Sequence, residues 1–386
     1  LGCRYLMKSR RYQVKKEVEK VIQQGHPWVF KSHLSSAANI FKTGDCLALV
    51  NASNEVFGYG LFEKDALIAI RLLKAGKTPP SAEWFKSKLK KILSRRENIK
   101  KLLKGIEPYH GENDGIPGVV FDVYGKIGVL QTYTPSVDPI GRYLAWVLRK
   151  ELHLESVVWK APSRRKKEIV SRLLYGKQPK PESIREGKLK IAVDVGEGQK
   201  SGAFLDLRGL RKFLSLQNLK GKRVLNLFSY TGTLGLAAEV AGAQEIWNVD
   251  ISKGALKFSE QFHSLDKKKF RYIAADVFSW VESLPPQEKF DVIIVDPPSM
   301  VSETKQISVA LKAYSRVYKR VLPHLKPKGM MIVCCCTSRI TRQQFNEVAK
   351  KSFSTSLRKM KSLPPEDDHP VGFPQGDYLK LLVFTD

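Results

Sequence analysis

The sequence of 386 residues has no apolar run approaching the roughly 20 residues that a bilayer-spanning helix needs. Residues 1–23 are polar and basic, without the apolar stretch of a signal peptide. Cysteine is scarce. Cys3 and Cys46 stand alone and Cys334, Cys335 and Cys336 are consecutive, a spacing that suits no disulfide framework. No Cys-x-x-Cys pair and no clustered histidine suggests zinc, so no metal is expected. The G-x-G-x-x-G of dinucleotide folds is also missing where it would be needed, which speaks against a nicotinamide cofactor. Together these absences lead to the expectation of a cytoplasmic protein in a reducing setting, with no membrane partner.

Acidic residues are few relative to basic ones. Asp and Glu number 38 against 66 Lys and Arg, a net charge of +28. A field of that sign attracts polyanions, nucleic acid first. With 42% hydrophobic and 27% charged residues the chain is globular rather than disordered, and it is long enough for two or three ordinary cores.

Three regions separate by pattern. Residues 1–78 hold short alternating stretches at 46–50, 56–62 and 67–73, which reads as a small β-rich module ending in a Gly- and Pro-containing linker. Residues 79–186 open with a helix expected over 84–103, whose polar face carries Lys86, Lys88, Lys90, Lys91, Arg95, Arg96, Lys100 and Lys101. That face is either simply solvated or a track for phosphates. A turn-rich stretch, a strand pair, a helix near 139–152 and a basic knot at Arg164-Arg165-Lys166-Lys167 complete this small α+β region. Residues 187–386 alternate strands (224–227, 246–250, 272–275, 292–296, 330–335) with helices. The steps of four and three in Ile307, Leu311, Tyr314, Tyr318, Val321 and Leu325 make one apolar helical face, which Pro323 and Pro327 close. Alternating β and α predicts a parallel, doubly wound sheet with ligands beyond the C-terminal strand ends.

The candidate chemistry sits at those ends. In Asn226-Leu227-Phe228-Ser229-Tyr230-Thr231-Gly232 a strand turns into a helix, and Gly232 permits close backbone approach to a ligand. The next strand ends at Asp250, suited to ribose hydroxyls. The third ends at Asp276, suited to the amine of adenine, and the fourth at Asp296-Pro297-Pro298-Ser299. A single strand-end Asp is unremarkable, but several in succession converge on one crevice.

The fifth strand ends in Cys334-Cys335-Cys336. Alternation puts Cys334 and Cys336 on one face and Cys335 on the other, with Cys336 outermost. A free Cys is often a small buried hydrophobe. A strand-end thiolate can instead add to carbon 6 of cytosine and make carbon 5 nucleophilic. Taken alone, Cys336 fits both readings.

Together these residues resemble the bacterial large-subunit rRNA 5-methylcytosine methyltransferases that carry an N-terminal PUA domain. Gly25-His26-Pro27-Trp28-Val29-Phe30 is similar to the signature opening that PUA domain, and Asp114-Gly115-Ile116-Pro117-Gly118 to the family's central motif. The run from Gly198 to Arg208, including Lys200, Phe204, Asp206 and Arg208, resembles its cofactor-covering hairpin. The 226–232 run is the most specific match, and Asp368-His369-Pro370 and Tyr378-Leu379-Lys380 resemble its C-terminal strands. The family usually reads Ser-Cys-Ser-Gly where this chain reads Cys335-Cys336-Thr337-Ser338.

The resemblance implies a class I (Rossmann-like) α/β methyltransferase domain over 187–386, a PUA-like domain over 1–78 and a central α+β domain over 79–186. It implies S-adenosyl-L-methionine held by Lys200, Phe204, Asp206, Arg208, Asn226, Phe228, Ser229, Tyr230, Thr231, Gly232, Asp250, Asp276 and Asp296. Cys336, with Asp296, would be catalytic. The implied reaction is 5-methylcytosine formation in 23S rRNA or a large-subunit precursor, and a homodimer is compatible with it. Enzymes methylating exocyclic amines commonly carry an aromatic residue after Asp-Pro-Pro, and Ser299 in that slot speaks against that chemistry. Two alternatives are a guanine methyltransferase on rRNA or tRNA and a non-catalytic RNA-binding ribosome assembly factor. The cofactor acids speak against the second.

If the basic clusters hold RNA through phosphates, log affinity will fall linearly with log salt, by about 0.7 per single-strand phosphate neutralised. Reversing the charges of Arg164, Arg165, Lys166 and Lys167 is expected to flatten that slope. An affinity indifferent to salt and to these changes would mark the charge as a solvated face.

Overall fold

The structure is a computed structural model that describes residues 9–98, 105–161, 170–196, 203–301, 306–353 and 356–386. The basic knot at 164–167 and Lys200 therefore lie outside the described residues. The chain divides into two compact units. No helix among the described residues is long and apolar enough to cross a membrane.

The first unit comprises residues up to Glu182 with Asp194–Ser201 and Asp367–Phe373. Its first sheet contains β1 (Arg10–Gln13), β2 (Trp28–Phe30), β3 (Cys46–Val50), β4 (Val56–Phe62) and β5 (Ile68–Ala75), in the order β1-β3-β4-β5-β2. Side chains alternate across β3. Leu47 and Leu49 join Val18 and Ile22 of α1 (Lys16–Gln23), whereas Cys46 and Ala48 join Phe85 and Leu89 of α2 (Ala82–Arg95). Covering both faces is why β3 is apolar throughout. The second sheet contains β6 (Gly105–His110), β7 (Val119–Tyr124), β8 (Ile127–Thr132), β9 (Ser156–Ala161) and β10 (Val170–Tyr175), in the order β10-β9-β8-β7-β6. Helix α3 (Asp138–Glu151), with Pro139 in its first turn, carries the chain from β8 to its parallel neighbour β9.

Helix α2 corrects an expectation. Ser81 caps it by accepting the Trp84 N–H at 3.1 Å, and the helix is interrupted after Arg95, while the stretch expected to continue it to 103 lies outside the described residues from 99 onward. Arg96, expected on the basic outer face, turns inward. It is 1% exposed, and its guanidinium grips the Asp114 carboxylate at 3.2 and 2.7 Å. Arg96 is a core residue and no part of a phosphate track; Lys100 and Lys101 lie outside the described residues.

The second unit comprises Ser183–Val193, Gly202–Glu366 and Pro374–Asp386. β11 (Glu182–Glu186) and β12 (Leu189–Val193) pair as a hairpin. The main sheet contains β13 (Arg223–Leu227), β14 (Glu245–Asp250), β15 (Phe270–Ala274), β16 (Phe290–Val295), β17 (Leu325–Cys336), β18 (Lys359–Leu363) and β19 (Leu379–Thr385). Its order is β15-β14-β13-β16-β17-β19-β18; the first five are parallel and β19 is antiparallel to its neighbours. These five are the strands the sequence predicts. The order reverses between β13 and β16, and beyond that point a doubly wound sheet opens its crevice.

The helices of this unit are α4 (Arg208–Ser215), α5 (Thr233–Val240), α6 (Lys253–Phe262), α7 (Val277–Trp280), α8 (Ile307–Val321) and α9 (Arg342–Phe353). Helix α8 buries Tyr314, Tyr318 and Val321, as its period predicts. Leu325 is not on it: Pro323 diverts the chain into a 3-10 turn, and Leu325 begins β17.

His263, at the end of α6, is fully buried and joins two elements. Its Nδ1 lies 2.5 Å from the Thr231 carbonyl, and its Nε2 accepts the Ala192 N–H at 2.9 Å. An acceptor role at Nε2 requires the neutral ring, with Nδ1 donating. Burial pushes its pKa down from 6.5 to about 4. Below pH 6.5 the unfolded imidazole takes up a proton that the folded one refuses. This contribution is therefore complete above pH 6.5 and is lost as the pH falls towards 4, on the order of 3 kcal/mol in all. His263→Gln is expected to lower the thermal midpoint at pH 7.5 and to lose less of it between pH 6.5 and 4.5. Parallel pH profiles for the two chains would contradict this role.

Candidate functional site

The C-terminal ends of β13, β14, β16 and β17 lie in register. Leu227 is level with Val249 and Val295, and Val295 with Val333. The residues just beyond those levels, 228–232, Asp250, Asp296 and the cysteines, therefore share one edge of the sheet. Asp276 lies two residues past the end of β15 on the same edge.

The turn after β13 is tightly wound. Phe228, Tyr230 and Gly232 have φ of 59°, 45° and 72°, so three of five residues are left-handed and two of these are not glycine. Such backbone persists only where its surroundings over-determine it, and several contacts do so here. Tyr230 N–H donates to Asp250 Oδ2 at 2.8 Å, and Ser229 N–H to the Val249 carbonyl at 3.0 Å. His263 holds the Thr231 carbonyl from the side. Beneath the turn, buried Asn226 donates to Asn248 Oδ1 at 2.8 Å, and Asn248 to Ser259 Oγ at 3.3 Å. A Cβ on Gly232 would lie 1.9 Å from Ser259 Oγ and 2.9 Å from Asn248 Nδ2. Only glycine fits at this position.

The expected ligand-binding residues divide by what they already do. Asp250 accepts the N–H groups of Tyr230 and Ser252, each at 2.8 Å and each on a different oxygen, which leaves lone pairs on both. Asp276 caps α7 through Oδ1, accepting the Ser279 N–H at 3.1 Å, and is exposed. Ser229 Oγ and Asn226 Oδ1 are buried without a hydrogen-bond partner. Phe204, at φ 44°, meets the Tyr230 ring edge-on at 5.4 Å. Asp206 accepts the Tyr378 hydroxyl at 2.7 Å, while Arg208 is turned to Glu366 at 3.3 Å and Glu186 at 3.8 Å. Open carboxylate lone pairs and orphaned polar atoms beside a close-approach glycine fit a ligand bearing vicinal hydroxyls and an exocyclic amine. The structure thus brings together Asp250, Asp276, Ser229 to Gly232 and Phe204. Asn226, Asp206 and Arg208 make contacts within the protein.

The three cysteines have three environments. Cys334 is level with Asp296 and hydrogen-bonded to it, and burial pushes its thiol well above the ordinary range. Cys335 faces Tyr314 of α8 and is also pushed up by burial. Cys336 is half-buried at the strand end, with Sγ 3.3 Å from the Pro297 carbonyl. Lys380, level with Cys335 on β19, is fully buried and donates to the Thr337 carbonyl at 2.6 Å.

Sequence reasoning missed the supports: His263, Asn248, Ser259, and the Glu186–Arg211 pair. Arg211 is fully buried, grips Glu186 at 2.6 and 2.7 Å, and donates to the carbonyls of Ala203 and Phe204 at 2.7 and 3.0 Å. Its only signal in the sequence was a charged residue at an inward position of α4.

Comparison with known proteins identifies the family. The pattern of the S-adenosylmethionine-dependent methyltransferase family matches residues 130–384, and that of the PUA-like domain residues 13–75. The chain is 31% identical to ribosomal RNA large subunit methyltransferase I of Shewanella amazonensis, over 97% of this chain and 99% of that protein. It is 28% identical to a ribosomal RNA large subunit methyltransferase of Deinococcus radiodurans, over 96% of each. Two solved structures share the fold. One, a SAM-dependent methyltransferase from Streptococcus mutans, has a TM-score of 0.84 at 23% identity. The other, a methyltransferase complexed with SAH, has 0.85 at 24%. Each alignment covers 97% of this chain and 100% of the other. The chain belongs to the S-adenosylmethionine-dependent methyltransferase family and, over nearly its whole length, to the ribosomal RNA large subunit methyltransferases within it.

Proposed function

We propose that this enzyme methylates carbon 5 of a cytosine in 23S rRNA, with Cys336 as the nucleophile. The observation that carries the reading is Cys336 itself. It is the one cysteine of the run that reaches the crevice, beside the Pro297 carbonyl and two residues beyond the Asp296 level. The PUA-like module and central region, divided near residues 78 and 186, serve in this reading to dock the RNA in the cytoplasm.

S-adenosylmethionine, when bound, supplies an electrophilic methyl group. Asp250 would hold its ribose hydroxyls and Asp276 its adenine amine. Ser229 and the backbone of Thr231 and Gly232 would line its approach, with Phe204 and Tyr230 packed beside it. Lys200 is expected to cover it, while Asp206, in the 3-10 turn before α4, and Arg208, the first residue of α4, would stand beside it. Cys336 adds as thiolate to carbon 6 of cytosine, and the displaced electron pair makes carbon 5 nucleophilic. Once carbon 5 is methylated, its proton passes to a base, the electron pair re-forms the double bond, and the carbon–sulfur bond breaks to release the thiolate. Asp296, hydrogen-bonded to Cys334, would lie beside the reacting base as the second catalytic group.

Two sets of variants test the reading. Gly232→Ala is expected to destabilise the second unit by about 2–4 kcal/mol, from left-handed strain plus overpacking. Asp250→Ala is expected to cost about 1–3 kcal/mol of S-adenosylmethionine binding, measured by calorimetry. Unchanged affinity in Asp250→Ala would remove the ribose role. Cys336→Ala is expected to abolish methylation while leaving cofactor affinity near normal. Cys334→Ala and Cys335→Ala are expected to change stability by about 1 kcal/mol. RNA carrying 5-fluorocytosine at the target is expected to trap a covalent adduct with the unaltered chain alone. A Cys336→Ala enzyme methylating at the normal rate would overturn the mechanism and favour guanine as the target.

A further inference from the structure

A second cluster of buried ionisable groups lies in the first unit and takes no part in methyl transfer. The register of β6 against β7 shifts between Ile106 and Tyr109, and the irregularity re-aims Glu107. Glu107 is 5% exposed. Its Oε1 is in contact with His110 Nδ1, and its Oε2 lies 2.8 Å from His369 Nε2. One donor atom from each of these three residues falls within 4.8 Å of the others. The other ring nitrogen of His369, Nδ1, is 2.9 Å from Asp368 Oδ1, and Asp368 Oδ2 accepts the Glu107 N–H at 2.9 Å.

Asp122 of β7 adds an independent observation. Its carboxyl lies against that of Glu107, and its Oδ1 is buried with no hydrogen-bond partner. Its Oδ2 receives only long contacts, from Tyr124 Oη at 3.3 Å and Gln131 Nε2 at 3.4 Å. Two buried carboxyl groups in contact call for a cation or a proton between them. The cations already present are committed. Arg96 is spent on Asp114 and on the carbonyls of Glu107 and Asp368, and Lys160 is shared between Asp122 and Asp194.

We propose that Glu107, His110 and His369 bind one divalent transition-metal ion of the zinc class, whose charge the Asp122 carboxyl beside Glu107 helps to balance. Two imidazoles and one carboxylate are a donor set that zinc accepts, with the fourth position left to water. Tetrahedral coordination at about 2.0–2.1 Å sets donors roughly 3.4 Å apart, inside the 4.8 Å within which the donors of Glu107, His110 and His369 lie. Asp368 holds the non-ligating nitrogen of His369, the outer contact that fixes a ligand's tautomer and orientation. The ion tethers Asp367–Phe373 to β6 across more than 250 residues of chain, inside one compact unit. The ligands escape notice in the sequence because only Glu107 and His110 are neighbours.

The test uses the untagged full-length chain, purified from zinc-supplemented medium. Elemental analysis is expected to find about one zinc per chain, and chelation followed by zinc addition to lower and then restore the thermal midpoint. Asp368→Asn, which keeps all three ligands, is expected to weaken zinc binding about 10–100-fold. His110→Ala/His369→Ala is expected to lose the ion. A chain purified without metal whose midpoint zinc does not raise would overturn the proposal and leave a proton-held network. Undiminished zinc in the double variant would overturn it as well, since the ion would then sit elsewhere, the cysteines included.

Discussion

Everything in the catalytic unit depends on a backbone turn that would not hold its shape alone. Phe228, Tyr230 and Gly232 are left-handed within five residues, and for the two aromatic residues this costs about 1–2 kcal/mol each. The cost is offset because the turn is fixed on three sides. The Asp250 carboxylate takes a backbone N–H, His263 takes a carbonyl, and the Asn226–Asn248–Ser259 chain fills the space beneath. Asp250 thus has a double duty, since the oxygens that fix the turn also keep lone pairs towards the crevice. Removing it would loosen the turn and, in the proposed reading, the cofactor contacts together.

The cysteine run illustrates how a sheet differentiates identical residues. Strand alternation and the Val295–Val333 register send Cys334 to Asp296, Cys335 to Tyr314, and Cys336 out to the Pro297 carbonyl. Burial holds the first two as neutral thiols. Buried Lys380 braces the chain after Cys336 by donating to the Thr337 carbonyl at 2.6 Å. The role proposed for Cys336 therefore rests on where β17 ends as much as on its composition.

Much of this was legible in sequence because it is local. Apolar runs bounded by turn residues marked β13 to β17, the steps of four and three marked α8, and successive strand-end Asp residues marked the crevice. What was not legible is long-range pairing of polar side chains. Arg96 reads as one more basic residue on a helix face, yet it is buried against Asp114. Arg211 and Glu186 are 25 residues apart, and His263 reaches back 71 residues to Ala192. Glu107 and His369 are separated by most of the second unit. Nothing in local periodicity distinguishes such residues from solvated ones.

The enzyme's substrate is read most directly by bisulfite sequencing of rRNA from cells with and without the gene. Carbon 5 methylation protects a cytosine from conversion, so one cytosine of 23S rRNA is expected to be protected in the presence of the gene and converted in its absence. Identical conversion at every cytosine in both strains would contradict cytosine methylation and, with it, the role assigned to Cys336.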